Sequence, residues 1–367
     1  MKVALLVPGG VDRSGTRKVI SCLLWLIERL AADGHEVHVF AARQEKRAGT
    51  WPLLGATVHN IGRRPTRLWM MRSIAAEHRE ARFDVLHAFW SSLGATGAVA
   101  GKLLGVPLVV TLPGGDVVGL ADIAYGALLS RLGRLDLRIA ARCAAEVNAP
   151  SDYMRALAAE LGIDAKSLAL GVDLARWPPA LPRARDVSRP IKLLHVASLN
   201  RVKDQPTLLE AIARLRGQGL KLALTVIGFD TLDGAIQRLA VRMGLSRDVR
   251  FLAELPHAEL RGWFEWADLL VMSSRHEGAP IVFLEAAVAG IPTVGTRVGH
   301  IADLSPHAAL CVPVGDALGL AEAIANLAAD EPRRLQLAVA VQAFAVRHDA
   351  DFTARIFLET YRRALND

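Results

Sequence analysis

Cysteine and aromatic residues are scarce in this sequence. It has 3 cysteines, Cys22, Cys143 and Cys311, far apart along 367 residues, and aromatic side chains make up 5% of the chain. Isolated cysteines in odd number and apolar surroundings are typical of buried thiols in a reducing compartment, so no disulfide framework is predicted. The 11 histidines show no ligand spacing, and the sequence therefore predicts no structural metal.

Long uninterrupted apolar runs are absent as well. The longest apolar stretch, residues 93–113, is broken by Lys102 and several glycines, so no membrane-spanning helix is predicted. Residues 1–7 run directly into Pro8-Gly9-Gly10 and predict a first strand and its loop, not a secretory signal. A hydrophobic fraction of 52% over 367 residues suits a cytoplasmic α/β protein of two domains.

Short apolar runs of strand character alternate with helical segments along the whole chain. Near-continuous apolar strands separated by helices predict parallel sheets covered on both faces. A first helix is predicted over Thr16 to Asp33, where apolar residues recur at helical spacing before Gly34. The predicted strands are Val3–Val7, Glu36–Phe40, Val85–Ala88, Leu108–Leu112, Glu146–Ala149, Leu168–Leu170, Lys192–Val196, Leu222–Ile227, Val249–Leu252, Leu269–Met272, Thr293–Gly295 and Leu310–Val312.

A proline-rich segment marks a boundary near the middle of the chain. Residues 177–185 contain three prolines, and Pro190 precedes a new strand. This composition is typical of a linker between independently folded halves. We therefore predict two Rossmann-like domains that face a central cleft, with residues 1–177 and 191–350 joined by a linker over residues 178–190.

The most informative segment runs from His276 to Pro292, in which seven residues separate Glu277 from Glu285. It predicts an acidic loop after a strand and then a buried helix that begins near Pro280. Glu285 falls on an otherwise apolar helix surface, where a carboxylate needs a partner. In one interpretation Glu277 is a solvated loop acid and Glu285 is half of a structural ion pair. In the other, both carboxylates accept hydrogen bonds from hydroxyls beside a phosphate or sugar at the helix start.

This segment resembles the Glu-x7-Glu signature of glycosyltransferase family 4, the retaining nucleotide-sugar enzymes of the GT-B fold. The likeness continues in residues 249–252, 259–268, 290–299 and 310–316 and covers nearly all of the C-terminal half. The resemblance implies an α/β protein of the GT-B fold with an N-terminal acceptor-binding domain and a C-terminal nucleotide-sugar-binding domain. It also implies that a C-terminal helix over residues 351–367 crosses back to the N-terminal domain.

The resemblance further implies a set of donor-binding residues. Lys203 falls at the family's diphosphate-binding lysine, whereas Ser198 occupies the position of the family's arginine, so nearby Arg201 would serve in its place. Glu277 would orient the sugar, and Glu285 would bind the ribose hydroxyls. The other implied contacts to the donor diphosphate are Gly15, Gly278, Ala279, Pro280 and Ile281.

Two glycine-containing loops in the N-terminal half are similar to the family's acceptor side. Gly9 to Thr16 follows the first strand and opens the predicted first helix, which suits close backbone approach to a phosphate. In the second loop Asp116 matches a family aspartate that contacts the transferred sugar or acceptor, and Pro113 replaces a family histidine. Asp116 would act in catalysis beside Glu277. The implied loop residues on the acceptor side are Gly10, Ser14, Gly114 and Gly115.

The implied reaction is metal-independent transfer of a hexose-type sugar, with retention, from a nucleotide diphosphate sugar to an acceptor hydroxyl. The acceptor would be a glycan, a glycolipid or a polysaccharide precursor, and no cofactor is expected. Two alternatives stay open. Ser198 and Pro113 are compatible with a non-catalytic subunit of the same fold that binds sugar nucleotide. The other alternative is a sugar-nucleotide 2-epimerase of the same fold, which Pro113 makes less favourable because this reaction needs a histidine in the acid/base set.

The excess positive charge lies in the N-terminal half. Residues 1–185 carry 24 Lys and Arg against 16 Asp and Glu, whereas residues 186–367 carry 20 against 21. The simplest interpretation of this charge excess is that the basic side chains form a solvated helix face. The functional interpretation is that they attract an anionic acceptor or the inner face of the cell membrane. No nucleic-acid-binding motif accompanies the charge. The arginines concerned include Arg63, Arg64, Arg67, Arg72, Arg79, Arg82, Arg131, Arg134, Arg138 and Arg142.

Overall fold

A computed structural model describes residues 1–366, and the chain divides into two compact units. The first unit contains residues 1–171 together with the chain from His348 onward, and the second contains Val172–Arg347. Each unit has one sheet with helices packed against it. The two parallel α/β sheets agree with the fold class expected from the sequence.

The first unit is built on an eight-stranded sheet. Its strands are β1 (Lys2–Val7), β2 (Glu36–Ala41), β3 (Gly49–Leu53), β4 (Ala56–Asn60), β5 (Val85–Phe89), β6 (Leu108–Thr111), β7 (Glu146–Ala149) and β8 (Lys166–Ser167). They are ordered β3-β4-β2-β1-β5-β6-β7-β8. The helices between them are α1 (Ser21–Ala32), α2 (Thr66–Glu80), α3 (Ser91–Leu104), α4 (Arg131–Cys143) and α5 (Asp152–Glu160).

The edge of this sheet differs from the prediction. Strands β3 and β4 were not predicted, and they pair antiparallel through a turn in which Leu54 and Gly55 have φ values of 50° and 81°. Two residues of positive φ are typical of a tight hairpin turn. Pro52 fits β3 because an edge strand has one side without ladder partners. The predicted strand Leu168–Leu170 is wrong, since the paired residues are Lys166 and Ser167.

The first helix begins later than predicted. It starts at Ser21, and Gly15 and Lys18 before it have φ values of 64° and 51°. Backbone in the left-handed region does not continue into a right-handed helix. The glycine-rich loop therefore does not form the N-terminus of α1, which corrects the expectation from the sequence.

The second unit has a six-stranded, fully parallel sheet. Its strands are β9 (Ile191–Val196), β10 (Leu222–Ile227), β11 (Val249–Leu252), β12 (Leu269–Met272), β13 (Thr293–Thr296) and β14 (Leu310–Val312), in the order β11-β10-β9-β12-β13-β14. Its helices are α6 (Gln205–Gly217), α7 (Ala235–Arg242), α8 (His257–Trp266), α9 (Ile281–Val288), α10 (Gly299–Leu304), α11 (Ala317–Ala329) and α12 (Glu331–Arg347).

The proline-rich segment predicted as a linker is part of the second unit. Trp177 is buried, and the Ala180 N–H donates to the carbonyl of Val288 over 3.0 Å. The Arg183 guanidinium donates to the carbonyl of Ala267 over 2.9 Å. Proline-rich composition indicates a segment without regular structure, but it does not show whether that segment is bound to a domain. The boundary lies instead after residue 171.

The C-terminal helix, α13 (Ala350–Asn366), belongs to the first unit. The Tyr361 hydroxyl lies 2.7 Å from Nδ1 of His87 on β5, and Nε2 of His87 lies 2.8 Å from the Thr111 hydroxyl. The Arg363 guanidinium donates to Glu146 of β7 over 3.0 Å. Burial lowers the pKa of His87 to about 3, so this histidine stays neutral. These contacts fix α13 against the centre of the first sheet.

Helices of membrane-spanning character are absent from the described part of the chain. No helix within residues 1–366 is both long enough and apolar enough to cross a bilayer.

Candidate active site

The acidic loop lies between the end of β12 and the start of α9. Pro280 stands immediately before the first helical residue, Ile281, with φ −67°. In a parallel α/β sheet the carboxyl ends of the strands form the edge at which ligands bind. The N–H groups of a first helical turn have no carbonyl partner within the helix and point toward this edge.

Glu277 is buried in this loop, not solvated. It is 9% exposed, and its Oε1 lies 2.5 Å from Nζ of Lys203 and accepts a hydrogen bond from the Ser274 hydroxyl over 2.6 Å. A buried carboxylate needs such partners, because an isolated charge would be costly in this environment. The structure thus brings together two of the predicted donor-site residues, the acid and the lysine.

Lys203 is held in place by its own loop. It ends a short 3₁₀ helix, Arg201–Lys203, and the next residue, Asp204, adopts a left-handed conformation with φ 48°. The Ser273 hydroxyl donates to the carbonyl of Lys203 over 2.8 Å, and the Arg275 N–H donates to the carbonyl of Val202 over 2.7 Å. These bonds tie the lysine loop to the acidic loop.

Arg201 is not part of this cluster. Its side chain is exposed and makes no hydrogen bond or ion pair with any other residue in the range 1–366. Ser198, at the position of the family's arginine, contributes its carbonyl to a hydrogen bond from Gln205 over 3.1 Å. Lys203 therefore provides the cationic contact to Glu277, and the Arg201 side chain is exposed to solvent.

Glu285 has a partner that was not predicted. The carboxylate is 4% exposed, and its Oε1 lies 2.5 Å from Nε2 of His257, the first residue of α8. The Trp177 indole N–H lies 3.4 Å from Nδ1 of the same histidine. An indole can only donate, so Nδ1 accepts and Nε2 carries the hydrogen that His257 donates to Glu285. The ring orientation of His257 is thereby fixed.

The glycine at position 299 allows the acidic loop to pack closely. Gly299 has φ 52°, and a Cβ atom there would lie 2.8 Å from the carbonyl oxygen of Gly278. A side chain would force the loop outward, because this contact is with backbone that cannot rotate away. The position of residues 277–280 thus depends on Gly299.

A buried histidine, His195, connects the strands below the site to the segment that follows Lys203. Nδ1 of His195 on β9 donates to the carbonyl of Val271 over 2.8 Å, and Nε2 lies 3.3 Å from the amide nitrogen of Gln205. Burial lowers the pKa of His195 to about 4, so the ring is neutral and Nε2 accepts from Gln205. This chain of bonds connects β12 to the helix that follows the lysine loop.

In the first unit, the glycine-rich loop after β1 has a fixed backbone. Asp12 accepts hydrogen bonds from the Ser14 N–H and hydroxyl over 3.0 and 2.6 Å, and its carbonyl accepts from the Gly15 N–H over 2.9 Å. The hydroxyl bond from Ser14 holds the pKa of Asp12 below its usual value. Gly10 has φ 80°, and a Cβ atom there would lie 2.5 Å from the side chain of Ile20. The three predicted residues Gly10, Ser14 and Gly15 therefore share one ordered loop.

The loop after β6 contains a buried acid, Asp116, next to two glycines that lie close to an aromatic ring. Asp116 is 3% exposed, and its Oδ1 accepts a hydrogen bond from the Ser91 N–H over 2.7 Å. Its Oδ2 is buried without a hydrogen-bond partner among residues 1–366. Burial raises the pKa of Asp116 despite the bond from Ser91. Tyr125 covers the adjacent glycines, since a Cβ atom on Gly115 would lie 3.0 Å from its ring and one on Gly114 3.9 Å from its hydroxyl.

The backbone is strained at Trp90, directly after the end of strand β5. Trp90 follows β5 with φ 70° and ψ 143°, a region that residues other than glycine rarely adopt. Its indole nitrogen would lie 3.9 Å from a Cβ atom on Gly114. Such strain is found at ligand sites more often than elsewhere. Trp90 and Tyr125 therefore join Gly114, Gly115 and Asp116 as candidate acceptor contacts.

Two family models match the chain, one for each half. The description "Glycosyl transferase 4-like domain" matches residues 19–170, and "Glycosyl transferases group 1" matches residues 190–330. The chain belongs to the family-4 type of glycosyltransferases. As a glycosyltransferase it is an enzyme, and the Lys203–Glu277 pair lies within the second of the matched ranges.

This glycosyltransferase is similar to curated proteins and to solved structures of other proteins that are named as enzymes of sugar metabolism. D-inositol 3-phosphate glycosyltransferase of Arthrobacter sp. (strain FB24) is 29% identical over 98% of this chain and 92% of its own length. Glycogen synthase of Mycobacterium tuberculosis (strain ATCC 25618 / H37Rv) is 31% identical over 52% of this chain and 48% of its own.

Among solved structures, Anabaena Alr3699/HepE in complex with UDP and glucose is similar with a TM-score of 0.76 and 19% identity, covering 98% of this chain and 99% of that one. Sucrose-phosphate synthase from Thermosynechococcus elongatus has a TM-score of 0.79 at 18% identity, covering 99% of both chains. At these identities the structures show the shared GT-B fold.

Four site residues were missed from the sequence of this glycosyltransferase. Ser274 stands three residues from Glu277 and could have been found by considering which neighbours hydrogen-bond a buried acid. No neighbouring residue in the sequence indicates the other three, His257, Trp90 and Tyr125. Each of them contacts its partner only through the packing of separate segments.

Proposed function

We propose that this glycosyltransferase binds a nucleoside diphosphate sugar in its second unit and transfers a hexose-type sugar to an acceptor hydroxyl. The observation that carries the proposal is the pair formed by the partly exposed Lys203 and the buried Glu277, 2.5 Å apart, beside the first turn of α9. A leaving diphosphate needs cations and N–H donors where its negative charge develops. This edge of the sheet supplies both.

The diphosphate would lie between Lys203 and the start of α9. The backbone of Gly278, Ala279, Pro280 and Ile281 lines that position, with N–H donors at every residue except the proline. Arg201, exposed two residues before Lys203, would add a second cation. When the phosphates bind, Lys203 would shift part of its hydrogen bonding from Glu277 to them. The Glu277 carboxylate would then accept from hydroxyls of the sugar.

The nucleoside would be recognised through Glu285. Its buried carboxylate has one oxygen bonded to the His257 Nε2–H and can accept from ribose hydroxyls with the other. The indole N–H of Trp177 fixes the histidine ring, so the carboxylate is oriented before the ligand arrives. His257 is thus proposed as a residue that positions Glu285.

Retention and metal independence are also proposed. Lys203, the α9 amides and Arg201 would neutralise the leaving phosphate, which is the task a metal ion performs in other transferases. The family resemblance supports front-face attack, in which the departing phosphate takes the proton of the acceptor hydroxyl. The buried Asp116, whose Oδ2 has no hydrogen-bond partner among residues 1–366, would accept a hydrogen bond from the sugar or the acceptor.

The nucleotide preference can be measured as thermal stabilisation. With UDP, GDP, ADP or TDP at about 100 times its Kd, the ligand adds about 2.7 kcal/mol to the stability of the binding unit and raises the melting temperature. We expect one nucleotide to produce this rise and Glu285→Ala to abolish it. Glu322→Ala, an exposed glutamate on α11 of the same unit, should keep it.

Several outcomes would count against this function. If no nucleotide raises the melting temperature at low salt, the donor site is absent. Binding without turnover of the matching sugar nucleotide would favour the non-catalytic subunit. Conversion of the donor into its epimerised sugar nucleotide without acceptor would favour the 2-epimerase. The anomeric configuration of the product, read by NMR, tests retention directly.

We also propose that helix α4 places this glycosyltransferase on an anionic membrane surface. Leu132 and Leu135 on this helix are 57% and 52% exposed, and the exposed Arg131, Arg134 and Arg138 lie between and beside them. Exposed leucines flanked by arginines are typical of helices that lie in a membrane interface. This arrangement favours the membrane interpretation of the basic N-terminal half over a merely solvated helix face.

A groove beside α4 fits the same interpretation. It has a volume of about 630 Å³ and is lined by Arg134, Arg138, Arg142, Leu128 and Leu161, among others. Three guanidinium groups next to leucine side chains match the phosphate and the first methylenes of a lipid headgroup.

Membrane binding is expected to depend on the α4 leucines. The double variant Leu132→Glu/Leu135→Glu should lower partitioning onto phosphatidylglycerol-containing vesicles at least about tenfold. It removes apolar contact with the membrane and adds two negative charges, which the anionic lipid repels. Co-sedimentation measures the bound fraction. Leu103→Glu, at a 77% exposed leucine on α3, is the matched control. Equal binding by the double variant and the control, or equal binding to neutral vesicles, contradicts the proposal.

A further inference from the structure

Three side chains of metal-ligand type meet on one face of the first sheet. His38 lies on β2, His59 on the adjacent β4, and Glu77 on α2, which packs against these strands. One ligand atom from each residue can be chosen so that all three lie within 4.8 Å of one another. Their separation along the chain has none of the short spacings that signal a metal site, so the sequence predicted none.

The distances between these atoms suit a tetrahedral ion. Nδ1 of His38 lies 3.0 Å from Nε2 of His59 and 3.6 Å from a carboxylate oxygen of Glu77. Zinc binds imidazole nitrogen and carboxylate oxygen at about 2.0–2.2 Å, which places ligand atoms about 3.3–3.5 Å apart at tetrahedral angles. The two measured distances lie on either side of that range. Small rotations of the side chains would bring the ligand atoms to it.

The two rings are already directed at each other. Their planes differ by 7°, and the 3.0 Å contact between Nδ1 of His38 and Nε2 of His59 is a hydrogen bond that one N–H proton makes. An ion at this point takes the place of that proton and adds Glu77 as a third ligand. Metal binding at histidine generally displaces protons in this way.

An outer carboxylate fixes the orientation of the first ligand. Nε2 of His38 donates to Glu36 over 2.9 Å, which leaves Nδ1 as the nitrogen that faces His59 and Glu77. Glu36 is itself paired with the Lys2 ammonium over 2.9 Å, so the nearest cation is already neutralised. Histidine ligands of metals nearly always donate their second nitrogen to such a group.

The site is enclosed by the sheet but open toward solvent. The His38 side chain is 9% exposed and packs edge-on against Phe83, whereas the Glu77 side chain is 31% exposed. An ion can therefore enter beside Glu77, and a water molecule has room to serve as the fourth ligand.

We propose that His38, His59 and Glu77 form a zinc site in the first unit. Two imidazoles and one carboxylate are a ligand set that zinc favours, and cobalt and nickel share the preference for it. The ion would link β2, β4 and α2 and stabilise the first unit. It would take no part in sugar transfer, so the proposal stands or falls independently of the donor site.

Zinc titration of the full chain tests the site. After removal of metal with EDTA and of the chelator by gel filtration, isothermal titration should show one equivalent of Zn²⁺ bound. Co²⁺ should give the intense visible absorption of a tetrahedral complex. We expect His59→Gln and Glu77→Gln to weaken binding more than about 100-fold, and Glu36→Gln about 10–100-fold, the usual cost of losing an outer partner.

A matched control separates this site from adventitious histidine binding. His307→Gln removes an exposed histidine of the second unit and should leave the stoichiometry at one. If His59→Gln fails to fold, the zinc affinity of Glu77→Gln tests the site, because Glu77 is partly exposed and its replacement should leave the fold intact. The proposal is overturned if the wild type binds no Zn²⁺ or gives no tetrahedral Co²⁺ spectrum. It is also overturned if Glu77→Gln binds zinc as tightly as the wild type.

Discussion

Replacing Lys203 with methionine is expected to lower kcat for sugar transfer by about 10²–10³-fold, the usual cost of removing one group that stabilises charge in a transition state. Methionine keeps much of the length of the lysine side chain and loses the ammonium that lies 2.5 Å from Glu277. The loss should appear in kcat as well as in KM, because the charge on the leaving diphosphate is greatest in the transition state. Initial rates with the matching sugar nucleotide measure it.

The control for this prediction is Lys221→Met, which removes an exposed lysine of the same unit and should leave the rate unchanged. Lys203→Met also leaves the Glu277 side chain, 10% exposed, without its cation, which is expected to lower the melting temperature. Rates are therefore compared well below the melting temperature of the variant. A variant rate within threefold of the wild type contradicts the assignment of Lys203 to the diphosphate.

Replacing Arg334 with methionine is expected to destabilise the second unit by about 3–5 kcal/mol, the range found when one partner of a buried ion pair is removed. Arg334 is 1% exposed and donates to Glu331 over 2.8 and 2.6 Å. It also donates to the carbonyls of Asp268 and Arg183 over 3.2 and 2.6 Å. Methionine leaves these four acceptor oxygens without this donor. Denaturant unfolding monitored by hydrogen exchange in α12 reports on this unit separately from the first.

The pH dependence of the loss in stability distinguishes the contribution of the ion pair from the contribution of side-chain packing. Burial opposes ionisation of Glu331, but hydrogen bonds from Arg334 and from the Arg185 N–H outweigh it and hold its pKa below the ordinary 4.5. A lowered pKa contributes stability above pH 4.5 that is lost as the pH falls further. The gap between wild type and variant should therefore narrow below pH 4.5. Arg242→Met, at an exposed arginine on α7, should change stability by no more than about 0.5 kcal/mol.

The sequence predicted features whose signal is local. The strands Leu222–Ile227 and Leu269–Met272 were predicted with their observed bounds, because a buried parallel strand is a continuous apolar run. Glu277, Pro280 and Glu285 were found for a similar reason, since they lie within nine residues of one another. The hairpin β3–β4 was missed because Pro52 argues against a strand unless its edge position is known.

Contacts between distant segments could not be predicted. Nothing near Glu285 indicates His257, and nothing near His38 indicates Glu77, because both pairs are formed by the packing of helices against segments that are distant in the sequence. The late start of α1 has a different cause. Its apolar spacing extends back to Val19, but Lys18 adopts a left-handed conformation that the spacing cannot reveal.

The position of α13 in the first unit has a consequence for biosynthesis. The ribosome must translate the whole of Val172–Arg347 before this helix exists, and at about 5–20 residues per second that takes roughly 10–35 s. During this interval the second unit is being synthesised, and its residues are complete before α13 exists. His87 and its apolar neighbours on β5 lack throughout the helix that covers them. The nascent first unit is therefore the part of this chain that a chaperone would be expected to bind, although it is made first.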